Sequence, residues 1–217
     1  MRPFAGDIEA SHDPEFKDAI TSIQSTFHIE EIVETGTNLG LGSTKVFAET
    51  GLPVYTLECN PTIFAQAVEN LKHYKNVTCI NAYSLPYKDM TDFINQDNIY
   101  NSNLDIMVDG PGDHRTFYHK ELGPFNIKEN ILPSLINNNQ KQIIFLDSAG
   151  GIGYLEYTTV MTCINNNIGQ YKILILDDCL HVKHYRSIMD LEKRGYVVHK
   201  SKSARWAWIH LTTAPKE

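Results

Sequence analysis

The residues with the most chemical content stand in one turn: Ile32, Val33, Glu34, Thr35, Gly36, Thr37, Asn38, Leu39, Gly40, Leu41, Gly42, Ser43 and Thr44. An aliphatic run ends on an acid, glycines follow at 36, 40 and 42, and a helix can begin near Ser43. Glycines in such a turn let the backbone approach a ligand closely and place free N–H groups at a helix start. A dinucleotide-binding fold shows GxGxxG at this place, with a pyrophosphate over the helix N-terminus. Here the pattern is ExGxxxGxG, and an ordinary strand-to-helix turn is the structural alternative.

Carboxylates close the other aliphatic runs. Glu58 ends Val54 to Glu58, where an acid can accept both hydrogen bonds of a ribose diol. Asp109 stands in MVDGPG, Asp147 in IFLDSAGG, and Asp177 with Asp178 in LILDDC. Ligands of open parallel sheets bind beyond the carboxyl ends of the strands, so these acids should crowd around one cleft. Clustered carboxylates repel unless a cation or a shared proton joins them. Asp147, Asp177 and Asp178 can offer hard oxygens to a divalent cation, or cap the helices that follow. Next comes HVKHYR. In a helix, His181 and His184 would share one face, each able to act as general base, to join a metal, or simply to pack. His114 and Arg115, after DGPGD, are candidates for contacting substrate.

The elements that must position these groups are readable from period and punctuation. Asp13 and Pro14 open a helix with Phe16, Ile20, Ile23 and Phe27 on one face, and Asn60 caps another carrying Ile63, Phe64, Ala67, Val68 and Leu71. Short aliphatic strands are expected at Glu31–Gly36, Val54–Glu58, Val77–Asn81, Leu104–Asp109, Gln142–Asp147 and Tyr171–Asp178. Tyr196–His199 and Arg205–Leu211, separated by a short polar turn, read as an antiparallel pair. Strands joined by helices imply a mostly parallel sheet covered on both faces. The expected class is thus α/β: a Rossmann-like three-layer sandwich with a mostly parallel seven- or eight-stranded sheet and an antiparallel C-terminal hairpin. The asparagine runs at Asn137 to Asn139 and Asn165 to Asn167 read as loops.

With 217 residues, 42% of them hydrophobic, and no evident linker or repeat, residues 1–217 read as a single domain. A formal charge of -7 argues against a protein that grips nucleic acid, and Lys200, Lys202 and Arg205 read as a solvated turn. Cys59, Cys79, Cys163 and Cys179 are scattered singly, without the pairs of a zinc knuckle or disulfide framework. The first thirty residues hold no apolar run of signal or membrane type, so a cytoplasmic, soluble protein is expected.

VETGTNLGLGST resembles the first motif of class I S-adenosylmethionine-dependent methyltransferases, in which an acid and a loose glycine turn hold a cofactor without pyrophosphate. That resemblance implies a cofactor site of Glu34, Gly36, Thr37, Asn38, Gly40, Ser43, Glu58, Cys59, Ala82, Tyr83, Ser84 and Asp109. Tyr83 could stack on the adenine or pack beneath the loop. Two registers then compete. Either Asp109 and Asp147 end the fourth and fifth strands, or Asp147 ends the fourth and Asp177 with Asp178 the fifth, leaving 101–140 as a possible insertion. The second resembles metal-dependent O-methyltransferases, implying Mg2+ on Asp147, Asp177 and Asp178, with Asp147, His181 and His184 as catalytic candidates. The partner implied is a small-molecule or glycan acceptor, with no nucleic acid, no membrane and a homodimer compatible with it. The other readings are an NAD-linked oxidoreductase and a non-catalytic nucleotide-binding protein.

Overall fold

The structure is a computed structural model describing residues 2–3, 10–109, 112–136, 139–165 and 172–211. Along them the chain forms β1 (Arg2–Pro3), α1 (Pro14–Phe27), β2 (Glu31–Thr35), α2 (Ser43–Ala48), β3 (Val54–Glu58), α3 (Pro61–Leu71), β4 (Val77–Asn81), α4 (Tyr87–Gln96) and β5 (Met107–Val108). There follow α5 (His114–Leu122), α6 (Leu132–Leu135), β6 (Gln142–Leu146), α7 (Gly153–Asn165), β7 (Lys172–Leu176), α8 (Tyr185–Lys193), β8 (Val198–Lys200) and β9 (Ala207–Leu211).

Seven strands make one sheet in the order β4-β3-β2-β6-β7-β9-β8, with β9 antiparallel to both neighbours and the pairs from β4 to β7 parallel. This is a Rossmann-like α/β sheet with an antiparallel C-terminal hairpin. Its central strands are buried on both faces. Ile144, Leu146, Leu174 and Leu176 pack with Tyr157, Val160 and Leu191, while Ile143, Phe145, Ile173 and Ile175 pack with Phe16, Ile20, Phe47 and Trp206. Unbroken aliphatic runs are what such double burial requires, each side chain contributing roughly 1.5–3 kcal/mol.

The expected caps form. Asp13 accepts from Glu15 N at 2.9 Å and from Trp206 Nε1 at 3.1 Å, which ties α1 to the hairpin. Asn60 accepts from Thr62 N at 2.9 Å and Ile63 N at 3.3 Å.

The eighth strand candidate behaves differently from the expectation. Of Leu104–Asp109 only Met107–Val108 is strand, and it pairs with β1 in a separate two-stranded sheet. Met107 N also donates to Leu180 O at 3.0 Å and Val182 N to Met107 O at 2.9 Å. The reason is burial: Ile106 and Val108 are buried, but on the other face Asp105 is exposed and Met107 half-buried, so the run has one covered face, whereas every residue of β6 is buried. β6 therefore takes the place beside β2, and Asp147 and Asp177 follow the fourth and fifth strands of the parallel order, the second register. The region around β5 and α5 packs on its own cluster of Tyr83, Met90, Ile94, Ile106, Tyr118 and Val182. Asn137, Asn138, Asn166, Asn167 and Tyr171 lie outside the described residues.

His181 and His184 are not on a helix, because α8 begins only at Tyr185. His184 serves the fold: its Nε2 donates to Leu146 O at 3.1 Å, and its Nδ1 faces Ser187 Oγ at 3.2 Å. Full burial, aided by the charge of Lys183, pushes its pKa down to about 3. Among the described residues no helix is long and apolar enough to cross a membrane.

Neutral in the fold and protonable once unfolded, His184 contributes stability that is complete above an ordinary histidine pKa of 6.5 and is lost as pH falls toward 3. Urea unfolding should show this residue removing about 2 kcal/mol between roughly pH 6.5 and 4.5. His184→Asn should flatten that slope. A variant as pH-sensitive as the parent would assign the acid response to other groups.

Candidate functional site

At the carboxyl ends of the parallel strands lies a cleft of about 770 Å³. Gly36, Thr37, Asn38, Gly40, Ser43, Glu58, Cys59, Ala82, Tyr83, Ser84, Asp109, Asp147, Asp177 and Asp178 all line it. Glu34, His181 and His184 do not, and neither do His114 and Arg115.

Glu34 acts from beneath. Fully buried, its carboxylate accepts from Ser43 Oγ and Thr44 Oγ1, each at 2.6 Å, and from Thr56 Oγ1 at 2.7 Å. Thr37 and Thr56 hydroxyls meet at 2.6 Å, so the turn is fastened to both β3 and α2. Gly36 has φ 85, and a Cβ there would collide with the carbonyl oxygen of Asp147. Asn38, at φ 50, directs its N–H to Glu58 Oε2 at 2.9 Å. The other Glu58 oxygen accepts from Asn60 N at 2.8 Å. Burial nevertheless raises the Glu58 carboxyl above the ordinary value, the backbone N–H groups opposing it.

On the neighbouring rim, burial pushes the Cys59 thiol up to about 12, which removes it as a thiolate nucleophile. Tyr83 is buried, and its hydroxyl accepts from Phe125 N at 2.8 Å while reaching the Gly123 carbonyl. The ring lies 5.1 Å from that of Tyr87.

The acidic end contains two cations that the sequence reading did not place there. Lys183 Nζ donates to Asp147 Oδ1 at 2.8 Å and lies 2.9 Å from Asp178 Oδ2. Arg205 forks onto Asp177, Nε to Oδ1 at 3.2 Å and Nη2 to Oδ2 at 3.1 Å, and Nη2 is 3.0 Å from Asp178 Oδ1. Burial works against the Lys183 charge, but Asp147, Asp178 and Asp177 more than reverse it and hold its pKa well above the ordinary lysine value. Burial likewise acts to raise Asp178, and Lys183 with Arg205 keeps it down at about 2. Arg205 is thus no part of a solvated turn, its side chain being only 16% exposed, whereas Lys202 is 89% exposed. The signal was present in the expected hairpin: Leu176 pairs with Ala207, so Arg205 must lie beside Asp178.

As a ligand set for a divalent ion the three acids are compatible in spacing, with one oxygen or more of each within 4.8 Å of the others. Each acid, however, already has at least one oxygen against an ammonium or guanidinium. Asp178 Oδ1 accepts no hydrogen bond but lies 3.0 Å from Arg205 Nη2, so the cations stand where Mg2+ would have to sit, and in this arrangement the acids do not fit it.

The far wall comes from the region of β5 and α5, through Asp109, Phe117, Glu121 and Leu122. His181 Nδ1 accepts from Lys183 N at 3.2 Å, so Nε2 carries the proton and faces Asp109 Oδ2 at 3.2 Å and the Tyr118 hydroxyl at 3.4 Å. Burial acts to raise Asp109, and His181 holds it below the usual carboxylate value. A Cβ on Gly150 would stand 2.8 Å from Asp109, His181 and Tyr118 alike, so this trio needs glycine there. Glu121 was not expected. The residue is solvent-exposed at the cleft mouth, and the protein mass around the cleft, with Lys183 opposing, raises its carboxyl above the ordinary value, to about 7. His114 and Arg115 instead anchor α5: His114 Nδ1 meets Asp109 O at 3.0 Å, and Arg115 donates to Ile94 O at 3.2 Å and Asp97 O at 2.9 Å.

Two glycines of similar φ separate steric need from backbone preference, since Gly36 has φ 85 against Asp147 and Gly51 has φ 78 with nothing within 4 Å. Gly51→Ala should lose about 1 kcal/mol, and Gly36→Ala at least about 2 kcal/mol more, by chemical denaturation. Equal losses would mean that the Asp147 carbonyl moves aside freely.

No family model matches the chain, and no curated protein does. Solved structures do. The O-methyltransferase from Bacillus cereus in complex with SAH superposes with a TM-score of 0.51 at 14% identity, over 96% of this chain and 84% of that one. The cofactor-bound Rv0187 from MTB gives 0.51 at 12% identity, over 94% and 82%. At such identities the likeness speaks for architecture, and with the strand order it is decisive: the chain has the fold of the class I S-adenosylmethionine-dependent methyltransferases.

Proposed function

We propose that the chain is an S-adenosylmethionine-dependent methyltransferase acting on a hydroxyl oxygen of a small molecule or sugar. The reading is carried by Glu58, held at the cleft by two backbone N–H groups, with the glycine turn folded against it. A carboxylate offers about four acceptor sites, so a ribose diol can bind there without breaking either bond. Ser43 and Thr37 hydroxyls are engaged within the protein, which leaves the backbone of the turn to face the rest of the cofactor. The turn lacks the GxGxxG that would seat a pyrophosphate, which disfavours NAD.

When bound, the cofactor supplies a methyl group on a cationic sulfur: an acceptor lone pair forms the O–C bond, the C–S pair returns to sulfur, and the oxygen gives up its proton. The chain's part is to hold the acceptor in line and to receive that proton. Glu121, at about 7 in the far wall, is half ionised near neutral pH and suited to accept it. Once an acceptor is in hand, the rate should rise with pH through about 7 in the parent and lose that limb in Glu121→Gln. Retention of the limb would move the base elsewhere.

The cofactor itself is tested by thermal denaturation with S-adenosylmethionine, its demethylated product, or NAD. The product at about a hundred times its dissociation constant should stabilise the protein by roughly 2.7 kcal/mol, a shift of about 5 to 10 °C. In calorimetry Glu58→Ala should weaken that binding by about 1.5 to 3 kcal/mol. Stabilisation by NAD alone would overturn the assignment.

A further inference from the structure

The acidic end of the cleft brings three strand-end carboxylates together, an arrangement that needs positive charge or a shared proton to persist. The chain provides that charge from two places. Arg205 neutralises Asp177 through a two-pronged contact and also touches Asp178, and Lys183 bridges Asp178 to Asp147. The Lys183 side chain is 8% exposed, and its path is built. A Cβ on Gly153 would collide with Lys183 Cγ and stand 2.8 Å from its carbonyl oxygen, so the glycine at the start of α7 opens the channel for the stem. Asp178 takes the left-handed region at φ 53 where the chain leaves β7 and turns back toward the cleft. On either side of Lys183 a buried histidine fixes the backbone, His181 through the Lys183 N–H and His184 through Leu146 O.

We propose that Lys183 is the resident cation of this site, taking the place of a divalent metal, and that its ammonium donates to the acceptor oxygen. Three carboxylates face two fixed cations, and burial raises Asp147 and Asp177 above the ordinary value, so at most a single negative charge is left over, which does not repay the dehydration of Mg2+, an ion that keeps its waters tenaciously. An ammonium has three donors in tetrahedral array. Two are directed to Asp147 and Asp178, and Lys183 lines the cleft, so the third is available to a neutral hydroxyl there. A strongly anionic acceptor group would meet the excess carboxylate and be disfavoured. The part of this concerning the acceptor rests on the methyltransferase reading; the part concerning the metal does not.

Mn2+ titration followed by electron paramagnetic resonance tests the metal half on the full chain, with and without the demethylated cofactor product. The parent should bind no stoichiometric Mn2+, and Lys183→Met, with its carboxylates uncompensated, should gain at least about tenfold in Mn2+ affinity. One Mn2+ per parent chain, lost in Asp147→Asn, would overturn the proposal, as would a folded Lys183→Met that gains nothing. Should Lys183→Met fail to fold, Lys183→Arg keeps the charge and should remain free of Mn2+, and binding there would be equally fatal. Binding of the cofactor product is measured by calorimetry on the same parent sample. Its absence from the parent would sink the cofactor reading while leaving the Mn2+ result to decide the cation.

Discussion

A carboxylate shut off from water sits under the edge of the sheet where the cleft opens, and the shape of that edge follows from it. An unpaired buried ion would be several kcal/mol unfavourable. Glu34 avoids this by accepting hydroxyls from Ser43 and Thr44 on α2 and from Thr56 on β3. The three donors belong to two elements besides its own, so satisfying one charge fixes the start of a helix, the register of a neighbouring strand and the path of the turn between them. The glycines then do only what is left: Gly36 passes under the Asp147 carbonyl, and Gly40, at φ 72, lets Leu71 approach.

The same topology that makes a cleft also gathers negative charge in it. Each acid at the rim finds a partner of a different kind. Glu58 takes backbone N–H groups, Asp109 an imidazole, Asp177 a guanidinium fork, and Asp147 with Asp178 an ammonium. These pairings differ in consequence. Backbone donors leave acceptor capacity on Glu58 for a ligand, whereas each of the three clustered acids has at least one oxygen against a cation.

What the sequence disclosed, and what it withheld, divides along range of interaction. The Asp13 and Asn60 caps, the doubly buried strands and the closing hairpin are set by neighbours in sequence and by apolar pattern, and all are found. The glycine turn and Glu58 could be read because a strand end and a helix start define their place. Leu104–Asp109 misled because an aliphatic run does not announce whether one face or two will be covered. His181 and His184 misled because their spacing suits a helix, while the chain there is occupied in pairing with Met107. Lys183 and Arg205 were invisible for another reason: Lys183 reaches Asp147 across the fold, and only strand register brings Arg205 to Asp178.

The far wall shows how such long-range contacts join the two halves of the cleft. Its residues come from a stretch with no motif of its own, docked on a separate hydrophobic cluster. Tyr83 belongs to the rim after β4, yet its hydroxyl holds the Gly123 carbonyl and the Phe125 N–H at the end of α5. Glu121, Leu122 and Phe117 lie on that helix, immediately before the clamp. The position of the far wall is therefore tied to Tyr83, a residue that follows β4. Replacing the cleft-lining side chains of α5 can change what the cleft admits, while the Tyr83 hydroxyl keeps the end of that helix in place.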